Sequence, residues 1–342
     1  MEALRRDLLG WYDAHKRDLP WRRDQEPYRV LVSELMLQQT RVETVLRHYD
    51  AWLERFPTVE ALAAATDEAV MAQWSGLGCY RRARSLHAAA QAIAQGGWPT
   101  DRAGLRNLPG IGDYTSAAVA SIAWSEAVAA VDGNVVRVMS RLGDIEEDTT
   151  RAAGKRAVAA AADAALDAAR PGDWNQAVMD LGARICTPKP RCDACPVAPH
   201  CQALARGTQA QRPVTRPKRP PVEQDVTFAH IVEGGRVLLV PRPADGLLAG
   251  TWGLPGGEGE LVDEVRGQTG LEVRPADAAA EVVHRFTHRT WRMRIHDATV
   301  LGGELREPAR WVPLDGLDAL GLSTATRRAI DAAQAHARAG GL

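Results

Sequence analysis

The stretch Leu108-Pro-Gly-Ile-Gly-Asp-Tyr-Thr115 decides the fold of the first part of the chain. Pro109 ends one helix, while Gly110 and Gly112 allow the backbone a tight turn. The amphipathic run Tyr114–Trp124 follows, so a second helix is predicted directly after the turn. The free amides at its N-terminus can hold a phosphate group, aided by the helix dipole, without reading any base. A plain corner between two helices is the alternative, and this stretch alone does not distinguish them.

The surrounding residues extend the helical pattern over a long segment. Residues 1–204 consist of alanine-rich stretches with apolar residues at three-and-four spacing, broken by isolated prolines, which predicts an all-α domain. Residues 205–224 then combine four prolines with a series of basic residues: Arg206, Arg212, Arg216, Lys218 and Arg219. We interpret this segment as a semi-stiff basic linker that either lies along a phosphate backbone or is a solvated tether.

After the linker the apolar residues alternate with polar ones. A hairpin is predicted around Gly234-Gly235 because alternating segments flank this pair, and the alternation returns over Trp291–Ile295. Ser323 is a suitable N-cap for a closing helix that extends to Arg338. Residues 225–342 are therefore predicted to form a domain that mixes α and β structure.

Composition and charge limit the possible classes of protein. The 342 residues suffice for two domains, and 45% hydrophobic with 25% charged residues is ordinary globular usage. The formal net charge is -1, so any affinity for DNA must come from a local basic surface. No apolar run approaches the roughly 20 residues of a membrane span, and the first residues do not resemble a secretory signal. We expect a cytoplasmic protein that does not bind membranes.

Four of the five cysteines form a compact group. Cys186, Cys192, Cys195 and Cys201 fall within 16 positions, whereas Cys79 stands alone. This distribution favours a metal site over a disulfide framework. Four thiolates in a short proline-interrupted loop fit either a 4Fe-4S cluster or structural zinc, and the spacing leaves both open.

Two carboxylates stand where a glycoside-cleaving enzyme needs them. Glu34 lies inside the otherwise apolar helical segment Val30–Thr40, so burial should raise its pKa and allow it to act as a general acid. An exposed helix face is the alternative for an isolated glutamate. Asp132, in Val131-Asp-Gly-Asn-Val-Val-Arg137, precedes an amphipathic helix and should act as its N-cap. A carboxylate held by amides stays ionised, which suits it to stabilise a cationic sugar.

Taken together and in this order, these segments resemble the helix-hairpin-helix DNA glycosylases of the endonuclease III superfamily, and within it the MutY family of adenine DNA glycosylases. The resemblance covers nearly the whole chain. It implies a multidomain protein: an all-α helix-hairpin-helix glycosylase domain with an iron-sulfur loop, followed by an α+β MutT-like domain of the Nudix fold. Within residues 1–204 it implies a six-helix lobe at about 21–126 and a cluster lobe formed by residues 1–20 and 127–204.

The resemblance also implies a chemistry and its residues. Glu34 would protonate adenine at N7, Asp132 would stabilise or trap the sugar cation, and water would complete the hydrolysis and leave an abasic site. The base must first be flipped out, because the glycosidic bond is unreachable inside a stacked duplex. The side chains expected to contact the flipped adenine are Trp21, Arg22 and Gln176. Those expected to contact the DNA are Gln39, which would fill the gap beside the opposite 8-oxoguanine, together with Gly110, Gly112, Cys79 and Tyr80.

Position 114 distinguishes two branches of the superfamily. Endonuclease III enzymes carry a lysine there that forms a Schiff base and cuts the strand, whereas this chain carries Tyr114. None of its four lysines lies in the hairpin, so amine-based lyase chemistry lacks its nucleophile. A monofunctional glycosylase is expected, in which Tyr114 supports Asp132 or the sugar, or packs on the hairpin.

The second domain resembles the MutT-like C-terminal domain of the same family. Its landmarks are Leu247–Pro255 and the segment His284–His288. In Asp263–Leu271 the glutamates that a Nudix hydrolase uses for magnesium are replaced by Gly267 and Gln268, so no magnesium is expected there. The family recognises 8-oxoguanine through a Phe-Ser-His loop, which implies that Phe286, Thr287 and His288 read the lesion here.

Three departures from the family pattern are visible. The first cysteine gap is one residue shorter than the family's usual six, a difference that a loop can absorb. The family generally shows Gly-Leu-Gly-Tyr-Tyr with the first tyrosine wedged beside 8-oxoguanine, whereas Gly76–Tyr80 has Cys79, which cannot stack on a base. Weaker lesion discrimination is therefore expected unless Tyr80 compensates. Asp113 places an acid beside the phosphate hairpin, so its side chain should point away.

We therefore expect an adenine glycosylase that acts, as a monomer, on double-stranded DNA containing an adenine mispair. Three other functions are weighed against it. An endonuclease III-like lyase acting on oxidised pyrimidines is disfavoured by Tyr114 and by the second domain. A Nudix nucleotide hydrolase is disfavoured by Gly267 and Gln268. A silent lesion-binding protein is disfavoured because Glu34 and Asp132 are both present.

Overall fold

The computed structural model describes residues 1–217, 220–243 and 245–340. Lys218 and Arg219 of the predicted linker lie outside the described residues. By its internal contacts the chain forms two compact units. Unit 1 comprises residues 1–63 and 88–218, and unit 2 comprises residues 64–87 and 219–342. The predicted domain boundaries stay a prediction, but residues 64–87, expected in the helical domain, pack with the C-terminal residues.

Helices form the regular structure of the described residues before Val222, which confirms the all-α prediction for this part. They are α1 (Glu2–His15), α2 (Pro27–Leu37), α3 (Val42–Arg55), α4 (Val59–Ala63), α5 (Asp67–Gln73), α6 (Arg81–Gly96), α7 (Arg102–Arg106), α8 (Asp113–Ala123), α9 (Gly133–Leu142), α10 (Ala152–Ala165), α11 (Pro171–Arg184) and α12 (Gln202–Arg206). Among the described helices, none is long and apolar enough to cross a membrane.

A hydrophobic core in unit 1 joins the first helix to later ones. Side chains of α1, α9, α10 and α11 pack together around Trp174, which is 1% exposed. A Cβ atom on Gly182 would lie 2.7 Å from the Cβ of Asn134, so glycine is required where α11 passes α9. This close approach places the start of α9, with Asp132, against α11.

The C-terminal part of unit 2 is an α+β domain, as predicted. Its strands are β1 (Val222–His230), β2 (Val232–Glu233), β3 (Arg236–Pro241), β4 (Trp252–Gly253), β5 (Gly256–Gly257), β6 (Leu271–Arg285), β7 (Arg289–Gly303) and β8 (Arg310–Pro313), and its helices are α13 (Leu261–Thr269) and α14 (Thr324–Gly340). One sheet has the order β5-β1-β7-β6, with β1 and β7 parallel. The second has the order β2-β3-β4, and β8 also pairs with β3.

Two local predictions for this domain are confirmed. Gly234 and Gly235 have φ angles of +53° and +74°, as a tight turn with two left-handed residues requires, and join the antiparallel strands β2 and β3. The Ser323 hydroxyl accepts a hydrogen bond from the Thr326 amide at 3.0 Å, so Ser323 caps α14.

The described residues of the predicted linker, 205–217 and 220–224, include three arginines that form ion pairs. The linker begins within α12, and its last residues start β1 at Val222. Arg206 and Arg212 both contact Asp144, at 3.0 and 2.8 Å, and Arg216 lies 3.5 Å from Asp148. These ion pairs argue against a solvated tether, whereas contact of the linker with a phosphate backbone stays a prediction, because the side chains of Arg206 and Arg216 are 61% and 62% exposed.

Candidate active site

Glu34 is a buried acid in α2 with one close partner. It is 7% exposed, and its Oε2 accepts a hydrogen bond from the Tyr114 hydroxyl at 2.5 Å. Burial raises the pKa of Glu34 to about 7, against the opposing effect of the Tyr114 hydrogen bond. The alternative of an exposed glutamate is excluded, and the expected rise in pKa is confirmed. A pKa near neutrality lets this carboxyl keep its proton in part of the population, as a general acid requires.

Asp132 caps α9, as predicted from its place before the amphipathic run. Its Oδ1 accepts a hydrogen bond from the Val135 amide at 2.7 Å, and its Oδ2 accepts one from Asn134 Nδ2 at 2.9 Å. Burial nevertheless raises the pKa of Asp132, and these hydrogen bonds only oppose the rise. The expectation that capping alone sets its ionisation was therefore incomplete, because the sequence does not show how deeply the carboxylate is buried.

Arg137 connects Asn134, a hydrogen-bond partner of Asp132, to the cysteine loop. Its Nη2 donates to Asn134 Oδ1 at 2.8 Å and to the Gly182 carbonyl at 2.7 Å, while its Nε donates to the Cys186 carbonyl at 2.7 Å. Asn134, held in this way, orients the carboxylate of Asp132. Neither Asn134 nor Arg137 was predicted, although both stand in the quoted segment around Asp132.

The two carboxylates open onto one cavity within unit 1. Its volume is about 500 Å³, which lies within the size range of small-molecule pockets, about 300–1,000 Å³. Seven of the predicted site residues line it: Trp21, Arg22, Glu34, Gln39, Tyr114, Asp132 and Gln176. The structure thus brings together residues that lie as much as 155 positions apart in the sequence, from 21 to 176.

A buried ion-pair network forms part of the cavity wall. Asp180, 1% exposed, accepts hydrogen bonds from Arg22 at 2.8 and 3.0 Å and from Arg17 at 2.6 Å. Arg22 is held in place by this carboxylate, and Trp21 packs edge-on against Tyr49. Sequence reasoning missed Asp180 and Arg17. The available signal was that Asp180 follows the predicted pocket residue Gln176 by one helical turn.

The four clustered cysteines face one small cavity. It has a volume of about 20 Å³ and is lined by Cys186, Cys192, Cys195 and Cys201. Arg141 Nη1 donates to Cys186 Sγ at 3.3 Å, and burial raises the pKa of Cys195 to about 11. Among the described residues, no group of three or more histidine, cysteine or acidic side chains is arranged to hold a metal ion.

Comparison with known proteins agrees with this geometry. Residues 32–161 match the model of the HhH-GPD superfamily of base excision DNA repair proteins, and residues 227–332 match the NUDIX domain. The chain is 34% identical to the adenine DNA glycosylase of Rattus norvegicus, over 98% of this chain and 79% of the relative. It is also 34% identical to the Homo sapiens enzyme of that name, over 95% of this chain and 73% of the relative.

The chain belongs to the adenine DNA glycosylase family. It is accordingly an N-glycosylase of base excision repair, and the predicted family and fold are confirmed. A thermostable thymine-DNA glycosylase structure is similar to it, with a TM-score of 0.55, 27% identity, and coverage of 60% of this chain and 96% of that one. An endonuclease III–DNA complex shares the fold at 21% identity, with a TM-score of 0.50 and coverage of 61% and 98%.

The helix-hairpin-helix of this adenine DNA glycosylase family member has the predicted turn. Gly110 has a φ of +72°, and Gly112 is the N-cap of α8 without a capping side chain. Asp113 points towards Arg106, whose Nε lies 2.6 Å from its carboxylate, so the acid is paired beside the hairpin. Gln39 is exposed on the wall of the cavity and has a φ of +57°. Such left-handed conformations of non-glycine residues occur preferentially at functional sites.

Cys79 and Tyr80 differ sharply in exposure. Cys79 is exposed, with a φ of +42°, whereas Tyr80 is 4% exposed and its hydroxyl donates to the Leu322 carbonyl. The ring of Tyr80 is therefore not available to stack on a base. This corrects its assignment as a DNA contact and removes the possibility that it compensates for Cys79.

The predicted lesion-reading residues form the tip of the hairpin between β6 and β7. The Phe286 amide donates to the Arg289 carbonyl at 2.8 Å, which closes the turn. The Phe286 ring packs edge-on against Trp291 at 5.1 Å between ring centroids, so it anchors the tip. Thr287 and His288 are exposed there.

In the segment Asp263–Leu271 of the C-terminal domain, Gln268 forms hydrogen bonds with the loop around Gly256. Its Oε1 accepts from the Gly256 amide at 2.9 Å, and its Nε2 donates to the Gly256 carbonyl at 3.1 Å and to Glu264 at 2.9 Å. Glu264 also accepts from the Gly259 amide. These side chains fasten the loop around Gly256 to α13, which is a structural role.

Proposed function

We propose that the protein removes adenine mispaired with 8-oxoguanine or guanine from double-stranded DNA, by hydrolysis after base flipping. The observation that carries this proposal is the convergence of Glu34 and Asp132 on one cavity of about 500 Å³. A flipped nucleotide needs such a pocket, because its glycosidic bond is inaccessible in the duplex. The family relatives bear the name adenine DNA glycosylase, which supports adenine as the excised base.

The two carboxyl groups divide the chemistry between them. Protonated Glu34 transfers its proton to N7 of adenine, so the base leaves with the electron pair of the broken bond to the sugar. Asp132 stabilises the positive charge that develops at the sugar. Water then adds to the sugar carbon and loses a proton, which leaves an abasic site. Tyr114 orients Glu34 through its hydroxyl.

The adenine pocket is rigid on one side. Trp21 offers its ring as a packing surface, and Gln176 offers an amide that can both donate and accept hydrogen bonds. Arg22 is fixed by Asp180, so it can present a guanidinium edge to the base without losing further side-chain entropy. These residues line the same cavity as Glu34.

The reaction proposed is monofunctional. In the described part of the chain no lysine lines the cavity that holds Glu34 and Asp132. A Schiff base to the sugar needs an amine next to the reacting carbon. The endonuclease III-like lyase on oxidised pyrimidines therefore remains the weaker alternative.

Recognition of the opposite base is assigned to exposed groups. Thr287 and His288 at the hairpin tip offer a hydroxyl and an imidazole to 8-oxoguanine, and Gln39 fills the space beside it. Gly110 and Gly112 supply backbone amides to a phosphate. The partner is double-stranded DNA, bound by a monomer in the cytoplasm.

The clustered cysteines fit a 4Fe-4S cluster by their donor chemistry. Cys186, Cys192, Cys195 and Cys201 present four thiols to a single small cavity, and the nearby Arg141 would offset part of a thiolate charge. Bound there, the cluster would cross-link the loop by four iron-thiolate bonds and fix the carbonyl of Cys186 that Arg137 contacts. Iron and sulfide found together in a brown preparation would support the 4Fe-4S assignment, whereas stoichiometric zinc without iron would contradict it.

The experiment that tests the proposed function is a glycosylase assay on duplexes pairing adenine with 8-oxoguanine, with guanine or with thymine. Release of adenine from the first two duplexes, and not from the third, is the expected result. Borohydride trapping should give little enzyme-DNA adduct. Abundant adduct, or release of oxidised pyrimidines in place of adenine, would favour the lyase alternative.

A further inference from the structure

The loop Gly76–Tyr80, between α5 and α6, has an unusual backbone. Gly76, Gly78 and Cys79 have φ angles of +96°, +69° and +42°. Left-handed conformations cost little for glycine but are unfavourable for cysteine. The exposed position of Cys79 must therefore be maintained by contacts that neighbouring residues make.

Two hydroxyl groups of this region donate to the same carbonyl oxygen. Tyr80 donates to Leu322 O at 2.6 Å, and Ser75 Oγ donates to it at 3.0 Å. The Tyr80 ring is buried, and burial raises the pKa of its hydroxyl, while interactions with Ser75 and with the Gly76 backbone oppose the rise. The hydroxyl of Tyr80 thus connects both ends of the loop to Leu322.

Leu322 is itself firmly held. It is 1% exposed and forms a β-bridge with Trp252, whose amide donates to the Gly321 carbonyl at 3.0 Å. A Cβ atom on Gly321 would lie 2.8 Å from the Cβ of Met71, so α5 packs directly against this segment. The carbonyl of Leu322 is therefore a fixed point relative to the loop.

Arg310 makes a second contact with α5. Arg310 forms an ion pair with Glu68 of α5, and its guanidinium lies 4.1 Å from the ring centroid of Trp252. Stacking on an aromatic face orients the guanidinium and lowers the entropy cost of the ion pair. Glu68, Met71, Ser75 and Tyr80 together bind residues 64–87 to the C-terminal residues of unit 2.

We propose that Tyr80 and Ser75 are positioning residues that set the place of Cys79 through the carbonyl of Leu322. The MutT-like domain then does more than carry the lesion-reading hairpin, because it also holds the loop that carries the exposed Cys79. This inference rests on the proposed recognition of 8-oxoguanine. A merely structural role for Tyr80 would affect stability but neither the order of Cys79 nor selectivity.

The test compares Tyr80→Phe with Tyr28→Phe in the full-length protein. Tyr28 is a matched control, because its buried hydroxyl also donates to a backbone carbonyl, that of Phe56, at 2.7 Å in unit 1. The first readout is the mobility of a nitroxide attached to Cys79, with Cys79→Ser as the labelling background. The second, on unlabelled protein, is the ratio of single-turnover excision rates with 8-oxoguanine and with guanine opposite adenine.

Tyr80→Phe should increase the nitroxide mobility and lower the selectivity ratio by about threefold or more, as loss of one hydrogen bond implies. Tyr28→Phe should change neither. Equal behaviour of the two variants would overturn the proposal. If Tyr80→Phe does not fold, Ser75→Ala should give the same two changes with smaller size, and unchanged mobility and selectivity would then overturn it. A wild-type ratio of one would contradict 8-oxoguanine recognition instead, while the nitroxide still tests the positioning.

Discussion

At the scale of single residues, the proposed chemistry depends on the protonation state of Glu34. Its carboxyl must carry a proton to act as an acid, and its pKa is about 7. The single-turnover excision rate should therefore fall as the pH rises through about 7. A rate that stays constant up to pH 9 would show that another group supplies the proton.

Replacing this carboxyl tests its role directly. Glu34→Gln should lower the excision rate by about 10²- to 10⁴-fold, as expected for loss of general acid catalysis. Binding to mispaired DNA should persist because the side chain keeps its size. Glu54→Gln, at an exposed position of α3, is the control and should leave the rate unchanged. Single-turnover kinetics and a DNA-binding titration measure both properties.

The bond between Tyr114 and Glu34 affects the same pH profile. The hydrogen bond from Tyr114 lowers the pKa of Glu34, so its removal should raise that pKa. Tyr114→Phe is therefore expected to shift the descending part of the pH-rate profile to higher pH, while Tyr28→Phe leaves it in place. A shift to lower pH would contradict the assigned direction of the bond.

The buried acid should also cost stability at high pH. Its pKa rises from 4.5 to about 7 on folding, so between these values the folded protein binds more protons than the unfolded one. Stability consequently falls as the pH rises, and the loss is complete above pH 7. Glu34→Gln should leave the free energy of unfolding unchanged near pH 4 and raise it at pH 8 by at most about 3 kcal/mol, which thermal melting at the two pH values would measure. Equal effects at both pH values would refute this linkage.

The burial of Glu34 and the capping position of Asp132 could be predicted, because the local pattern carries them. An acid within an apolar helix indicated Glu34, and an acid before an amphipathic run indicated Asp132. Asp180 could not be predicted in the same way, because its partners Arg17 and Arg22 lie 163 and 158 positions away. The need for an arginine partner is visible only once the folded chain buries this carboxylate.

At the scale of elements, we expect the loop Gly76–Tyr80 to affect lesion selectivity. Cys79→Tyr should increase the preference for 8-oxoguanine, since stacking of an aromatic ring on a base contributes about 1–3 kcal/mol. The gain should lie near the lower end, roughly fivefold, because a tyrosine at a φ of +42° is strained. No gain in affinity or rate on 8-oxoguanine mispairs would defeat this prediction.

Elements with local signals were predicted correctly, and those without were not. The glycine turns before α8 and between β2 and β3 follow from residues within a few positions of each other. The parallel pairing of β1 with β7 joins residues such as Val226 and Met293, and alternation alone does not specify a partner strand. Tyr80 was misassigned for a related reason, since its partner Leu322 is 242 positions away.

At the scale of the whole molecule, the cysteine loop should stabilise unit 1. Cys186 and Cys195 pack against the core that contains α1, α9, α10 and α11. Cys195→Ser should therefore lower both the metal content and the melting temperature, and make the segment from 186 to 201 sensitive to protease. Cys79→Ser is the matched control and should change none of these. Retained metal and unchanged melting in Cys195→Ser would exclude the cysteine site.

The division into units is a property that the sequence could not reveal. Composition and the basic linker indicated domains at 1–204 and 225–342, whereas residues 64–87 pack with the C-terminal residues. The linker was expected either to lie along a phosphate backbone or to be a solvated tether, and its pairing with Asp144 and Asp148 was not foreseen. Both differences come from contacts across long stretches of sequence, which local patterns do not report.

The most direct measurement of the central claim is a crystal structure of the Glu34→Gln variant bound to a duplex with adenine opposite 8-oxoguanine. The flipped adenine should occupy the cavity of about 500 Å³, with residue 34 at its N7 edge and Asp132 beside the sugar carbon. An adenine still stacked in the duplex, or seated where neither carboxyl position reaches the glycosidic bond, would contradict the proposed chemistry.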